Sequence, residues 1–446
     1  MTVKHTITST ELTSVVQQML ELALQQPGVT DAAVGGSSSV GLSAEVRLGE
    51  VEVIEFHRDK ALELVVYKGQ RKGSVSITDL TLSAVSAAVQ AANRIAEYTQ
   101  EDPYAGLADT EQLAKEIYDL DLYHAADVPA EQAIAYAKEC EAAALEYSKE
   151  IVNSEGATFS TNDQVYVYAN SRGFLASYPT TRYSGYCVAI AERAGKMQRE
   201  HDFTVARDIA DLSALASVGQ SAAQKTIQRL GGRKIKTCQA KVLLLPNIAT
   251  GFWGILVAAI SGANLYRRSS FLLDCLDTVV FPEFVNISEQ PHLRKGLGSA
   301  PFDAEGVATR QKDIIKDGIL STYLLGSYSA RRLGMQTTGN AGGVHNMLVA
   351  SGTADLAALV KNMGTGLVVS ETMGNGTNIV TGDYSLGAAG FWVENGEIAY
   401  PVEEITIAGN LRDMFKTVVA LGNDVDHRSN IITGSVLLDK MTIAGN

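Results

Sequence analysis

Bond cleavage by side chains takes either an activated nucleophile or a metal ion held by convergent donors, and few residues of this chain could supply them. The histidines are His5, His57, His124, His201, His292, His345 and His427, and the cysteines are Cys140, Cys187, Cys238 and Cys275. A catalytic zinc usually takes two ligands one helical turn apart on a helix, with a carboxylate to activate its water. Neither HExxH nor HExxxH occurs, and no two histidines are close in sequence. The residues therefore predict no catalytic side chain and no metal site in this chain. No GxSxG elbow marks a serine nucleophile. Cys275 follows Asp274 in FLLDCLD, where neighbouring carboxylates would raise a thiol pKa, so it reads as a core thiol. The stretches Gly374 to Asn378 and Gly364 to Gly366 lack the spacing of a phosphate loop and read as tight turns between strands.

One segment could bring backbone close to a ligand. In Thr338-Gly339-Asn340-Ala341-Gly342-Gly343-Val344-His345-Asn346, glycine frees the chain and His345 adds a versatile side chain. Gly339, Asn340, Gly342, Gly343, His345 and Asn346 form the candidate loop for contact with a peptide or a partner. The competing reading is a loop ordered by its own hydrogen bonds. The basic cluster Arg229, Arg233, Lys234 and Lys236 reads as a solvated linker. Arg267 and Arg268 read as positive charge favouring a helix C-terminus.

Elements must hold such a loop in place. A chain of 446 residues exceeds one core, and 46 % hydrophobic with 20 % charged residues is ordinary globular composition. The net charge of −13 argues against nucleic acid as a partner. The N-terminus lacks a signal-peptide pattern, no apolar run reaches the roughly 20 residues of a membrane span, and the scattered cysteines fit a reducing compartment. No membrane partner and a cytoplasmic location are expected. Only 13 of the 40 glycines precede Gly231, which predicts two domains, residues 1–232 and 233–446.

Thr8 and Glu11 open a first helix as a capping box, with apolar residues at Leu12, Val15, Val16, Met19 and Leu22. Alternating strands follow, with a polar break at His57 to Lys60. Further helices are predicted from Leu82, from Pro129 to about Ile151, and from Leu212 to Leu230, with strands over 160–205. In the second half, Asp317-Gly318 and Asn395-Gly396 signal hairpins. Helices there are few: Ile248 to Leu265, part of Arg267 to Leu276, Asp355 to Met363, and one after Asn410. The fold class is α+β, an N-terminal sheet with long helices and a glycine-rich, mainly β second domain.

Several long segments, in order, carry a family resemblance: YKGQRKGSVSITDL, QEDPYAGLAD, PFDAEGVATRQKDIIKDGIL, TGNAGGVHN and TGDYSLGAAGFWVENGEIAYPVEEITIAGN. On these the chain resembles the TldD/PmbA family of zinc-dependent peptidases over most of its length. In the family's zinc-bearing TldD-type subunit an HExxxH helix precedes an Arg-rich turn. The matching stretch here, GILVAAISGANLYRR, has Val257, Ala258, Ala259, Ile260 and Ser261 where ligands and acid are expected. The family's C-terminal cysteine ligand also lacks a counterpart, since the approach to Ser435 reads Asp426-His427-Arg428-Ser429-Asn430. These departures resemble the metal-free PmbA/TldE-type subunit.

The resemblance implies a heterodimer with a TldD-type subunit. Zinc would sit in that partner, with no cofactor in this chain, which would wall a chamber for unfolded or extended peptides. It also implies peptide-antibiotic maturation and antitoxin degradation as processes served, and a surface that could pair the isolated chain with itself. Two other readings stay open from the residues: a stand-alone metallopeptidase with a site formed only in space, and a non-proteolytic binding or regulatory module.

Overall fold

The computed structural model describes residues 8–445; His5 lies outside them. Thr8 caps helix α1 (Ser9–Leu24), its hydroxyl and Glu11 satisfying each other's backbone amides as the sequence predicts. Strands β1 (Asp31–Arg47), β2 (Glu50–Lys68) and β3 (Arg71–Ile77) form the meander, and α2 (Leu82–Tyr98) follows. After the linker come α3 (Ala130–Leu145), β4 (Ile151–Asn170), β5 (Leu175–Arg193), β6 (Lys196–Ala206) and α4 (Leu215–Gln228). The six strands make one antiparallel sheet in the order β3-β2-β1-β4-β5-β6.

Strand periodicity assigns each face. Val34, Leu64, Val165 and Val167 point to α1 and α2, while Ala44, Phe159 and Cys187 meet α3 and α4 farther along the same face. The opposite face carries Tyr166, Tyr168, Ala176 and Tyr178, which pack with Phe302 and Val307 from the second half.

That half opens with β7 (Cys238–Leu244), α5 (Pro246–Ala259) and α6 (Gly262–Tyr266), then β8 (Ile287–Glu289), β9 (Lys312–Lys316), β10 (Ile319–Leu320), α7 (Ser327–Leu333) and β11 (Met347–Val349). It continues through α8 (Leu356–Met363), β12 (Gly366–Met373), β13 (Asp383–Glu394), β14 (Glu397–Asn410), α9 (Leu411–Lys416), β15 (Val418–Leu421), β16 (Ile431–Ile432) and β17 (Val436–Ala444). One sheet runs β10-β9-β8-β11-β16. The other runs β14-β13-β12-β7-β17-β15, and pairing of β14 with β17 closes five of its strands into a barrel. Trp253, Phe271, Phe281 and Phe415 lie in the main core. The α+β class is as expected.

Several local expectations change. His57 to Lys60 do not break β2, which stays paired with β1 from Gly41↔His57 to Ser38↔Lys60; the polar residues lie along a sheet edge. The long apolar helix divides because Asn264 turns back to cap the Ala258 carbonyl at 2.8 Å. A Cβ on Gly262 would also lie 2.2 Å from the Ser329 hydroxyl, so the chain turns where α6 meets α7. Arg267 to Leu276 is largely turns, and α3 stops at Leu145. Gly364 ends a helix rather than joining two strands. The basic cluster is a solvated linker only in part: Arg229 is buried against Glu200 and Glu371, whereas Arg233, Lys234 and Lys236 are exposed as expected, Arg233 stacking 3.3 Å above the Tyr400 ring and Lys234 pairing with Glu404.

Candidate functional site

The glycine-rich loop is built around one fully buried carboxylate. Glu289, at the end of β8, accepts at Oε1 from the His345 amide at 2.7 Å, from Asn340 Nδ2 at 2.8 Å, and pairs with His345 Nδ1 at 3.1 Å. Its Oε2 accepts from Lys312 Nζ at 2.5 Å. That ammonium also donates to the Thr338 carbonyl at 2.6 Å and to Asn340 Oδ1 at 2.7 Å. Burial alone would push the Glu289 carboxyl up, but the bonds from His345 and the Lys312 charge outweigh it and hold the pKa below the usual range. Asn346 is wholly buried and locks the loop to the preceding segment through the Gln290 carbonyl, the Ser299 hydroxyl and the Gly298 amide. Gly339 sits at φ +72°, where an added Cβ would come 2.7 Å from the Ala308 carbonyl oxygen. Asn340, His345 and Asn346 therefore order the loop, which presents Gly342 and Gly343 outward.

The outer surface of the loop forms one wall of a cleft of about 500 Å³ between the two halves. Its floor is the helix-free face of the N-terminal sheet, where the cross-strand pairs Asn162/Arg182, Gln164/Thr180 and Tyr166/Tyr178 all line the space. Phe302 packs edge-on to Tyr178 with ring centroids 5.3 Å apart. Thus Gly342, Gly343 and His345 of the candidate loop face the same space as the sheet.

The charge in this cleft is unusual. Arg207 donates to the Thr181 carbonyl at 3.1 Å and to the Leu297 carbonyl at 2.7 Å, and its Nε is buried without a hydrogen bond. Burial, with the nearby Arg182 charge, lowers its pKa to about 10. Neither arginine has a carboxylate partner among the described residues. Asp303 is the one acid among the described residues that line the cleft, and it is bonded to the amides of Glu305, Val307 and Ala341. Burial, reinforced by Glu305, still pushes it up to about 6. Such a pocket offers aromatic faces, carbonyls and unneutralised positive charge, a set suited to binding rather than to bond cleavage.

Among the described residues, no three His, Cys, Asp or Glu side chains come together as metal ligands. On α5, Phe252, Trp253, Leu256 and Ala259 pack into the core, and Val257 to Ser261 offer hydrocarbon and a single hydroxyl. Those residues do not fit zinc. Arg428, in the segment where the family's cysteine ligand is expected, bonds bidentately to Asp426 and reaches across to Asp202 at 2.7 Å. Nothing local in the sequence marks Glu289, Lys312 or Arg207, because their partners are distant in the chain, and Asp303 bonds two nearby amides but reaches the loop only through the distant Ala341.

With fold and cleft in view, comparison is decisive about class. The chain matches PmbA/TldA metallopeptidase domain 1 over residues 32–96, the central domain over 123–230 and the C-terminal domain over 237–445. It belongs to the PmbA/TldD metallopeptidase family. It is 50 % identical to Metalloprotease PmbA of Escherichia coli O157:H7, over 97 % of this chain and 96 % of that protein. A crystal structure from Bacteroides thetaiotaomicron, a candidate modulator of DNA gyrase by its name, has a TM-score of 0.92 at 26 % identity, covering 97 % of this chain and 98 % of that one. The crystal structure of TldE from Thermococcus kodakarensis has a TM-score of 0.86 over 97 % of this chain and all of its own; at 18 % identity that likeness concerns the fold. The family resemblance read from the sequence is the right one.

Proposed function

We propose that this chain is the PmbA/TldE-type subunit of a two-part zinc metallopeptidase. In this reading it pairs in the cytoplasm with a TldD-type subunit that carries the metal. It encloses unfolded or extended peptides and holds them, while the partner cuts. Maturation of peptide antibiotics and degradation of antitoxins are the processes such a complex would serve. Residues 1–232 and 233–446 would form two walls meeting at the cleft.

The observation that supports the reading is the cleft, which turns two arginines and an aromatic pair toward a ligand and holds no cluster of metal donors among the described residues. A desolvated arginine with an unsatisfied Nε gains from any anionic or carbonyl-rich ligand that completes its hydrogen bonds. An extended peptide offers backbone carbonyls along its length and a carboxylate at its end. The aromatic pair Tyr166 and Tyr178 would supply contact with little regard for sequence, as tolerance of many unfolded substrates requires.

The test is fluorescence anisotropy of a labelled unstructured peptide against the isolated chain. Arg182→Gln removes an exposed cation that makes no bond essential to the fold, and it should weaken binding roughly tenfold, equivalent to about 1.4 kcal/mol. Blocking the peptide's C-terminal carboxylate as an amide should produce a loss of similar size in the unmodified chain and little further loss in the variant. Equal affinity of both chains for both peptides would remove the cleft as the binding site.

A further inference from the structure

The floor of the cleft changes character along its length. On β5, Tyr178, Thr180 and Arg182 face the cleft at alternate positions, each beside its partner Tyr166, Gln164 or Asn162 on β4. Tyr178 and Arg182 therefore stand about 13 Å apart along the strand, at roughly 3.3 Å per residue. The Arg182 end is positive. Arg207 lies there too, bonded to the Thr181 and Leu297 carbonyls, and its charge and that of Arg182 repel each other with no carboxylate to match them among the described residues. The Tyr178 end is aromatic and acidic. Phe302 packs on both tyrosines, with ring centroids 5.3 Å from Tyr178 and 6.2 Å from Tyr166. Asp303 follows it into the cleft. Glu63 lies just beyond, exposed on β2 opposite Gly35, and a Cβ on Gly35 would come 3.8 Å from the Tyr166 hydroxyl. Burial pushes the Tyr166 phenol pKa up, and the nearby Tyr178, Asp303 and Glu63 push it further.

A ligand that complements this floor has an anionic end, an extended middle and a cationic end. A free peptide of about four residues has that form, because an extended chain rises roughly 3.4 Å per residue between its ammonium and its carboxylate. We propose that the cleft takes short zwitterionic peptides of about four residues, with the carboxylate on Arg182 and Arg207 and the ammonium among Tyr166, Tyr178 and Phe302, beside Asp303 and Glu63. Guanidinium groups hold carboxylates through charge-assisted bonds, and an ammonium gains from aromatic faces as well as from acids. On the wall, Gly342 and Gly343 have no side chains to keep a peptide backbone away. The cleft volume of about 500 Å³ is that of a small-ligand site. The inference rests on the peptide-binding reading and narrows it, since the ligand is recognised by both ends and by its length. Hydrolysis of a longer peptide is the class of reaction that supplies such ligands, so they would compete with fresh substrate for the cleft.

Displacement of a labelled unstructured peptide from the full chain, followed by fluorescence anisotropy, tests it. At about pH 7 the Asp303 carboxyl is mostly ionised and a peptide amine mostly protonated. The tetrapeptide Phe-Ala-Ala-Ala should displace the label. Acetylating its amine, or converting its carboxylate to an amide, should each raise the concentration required roughly tenfold. For the octapeptide made by adding four alanines, amidation should matter as before and acetylation should not, because its amine lies beyond the acids. Arg182→Gln should cancel the effect of amidation at both lengths. Glu63→Gln, a change at an exposed position, should reduce the effect of acetylation on the tetrapeptide. A tetrapeptide indifferent to acetylation, a response that Glu63→Gln leaves unchanged, or equal responses at both lengths would each overturn the two-ended site. In those cases binding that still depends on Arg182 keeps the peptide-binding reading intact, whereas failure of every peptide to bind would remove both.

Discussion

Glu289 and Asp303 are both buried acids beside the glycine-rich loop, yet their surroundings drive them in opposite directions. Glu289 has an ammonium and an imidazole within bonding distance, so its charge is matched. Asp303 has only backbone amides and the added burden of Glu305, and its pKa rises to about 6 from an ordinary 3.8. The folded state therefore holds that proton more tightly than the unfolded chain. Its contribution to stability is complete below about pH 4 and is lost as pH rises through 6, by about 3 kcal/mol in all, since each tenfold difference in proton affinity is equivalent to roughly 1.4 kcal/mol. Asp303→Asn cannot ionise. Its stability relative to the unmodified chain, from urea unfolding, should improve as pH increases from about 4 to about 6.5. A difference between the two proteins that stays flat across this window would contradict the assignment.

Among the elements, α3 and α4 pack closely enough to leave no room for a side chain at Gly219. A Cβ there would lie 1.9 Å from the Cys140 carbonyl oxygen. Gly219→Ala should force the helices apart and cost about 1–3 kcal/mol, as overpacking of a core does, lowering the midpoint of thermal unfolding. An unchanged midpoint would mean that the two helices have freedom the packing does not show. Elements like these were legible where a local rule governs them. Thr8 and Glu11 cap α1, and the Asp317-Gly318 and Asn395-Gly396 turns close β9–β10 and β13–β14. Where distant residues decide, the sequence was silent. The break after Ala259 depends on the approach of α7, and the solvation expected at Arg229 gives way to Glu200 and Glu371. The candidate loop was recognisable from its glycines and His345, but its anchor Glu289 lies 56 residues earlier. The cleft floor could be read as alternating strands, but not as facing Phe302 and the loop.

At the scale of the whole molecule, the two halves are fastened along several lines. Arg331 donates to the carbonyls of Tyr104, Gly106 and Leu107, Arg428 joins Asp202, Lys295 bridges Asp208 and Asp211, and Tyr328 meets Asp102. These bonds tie together the two halves that flank the cleft. In the proposed reading, a cleft without a cluster of metal donors among the described residues makes chemical sense if the reacting metal sits in another subunit facing it. The measurement that tests this most directly is zinc content and peptidase activity on one unfolded substrate, for this chain alone, for a TldD-type partner alone, and for the two together. The account predicts neither zinc nor cleavage from this chain, with both in the mixture and activity there above that of the partner alone. Zinc bound stoichiometrically by this chain, with cleavage that a chelator abolishes, would contradict it.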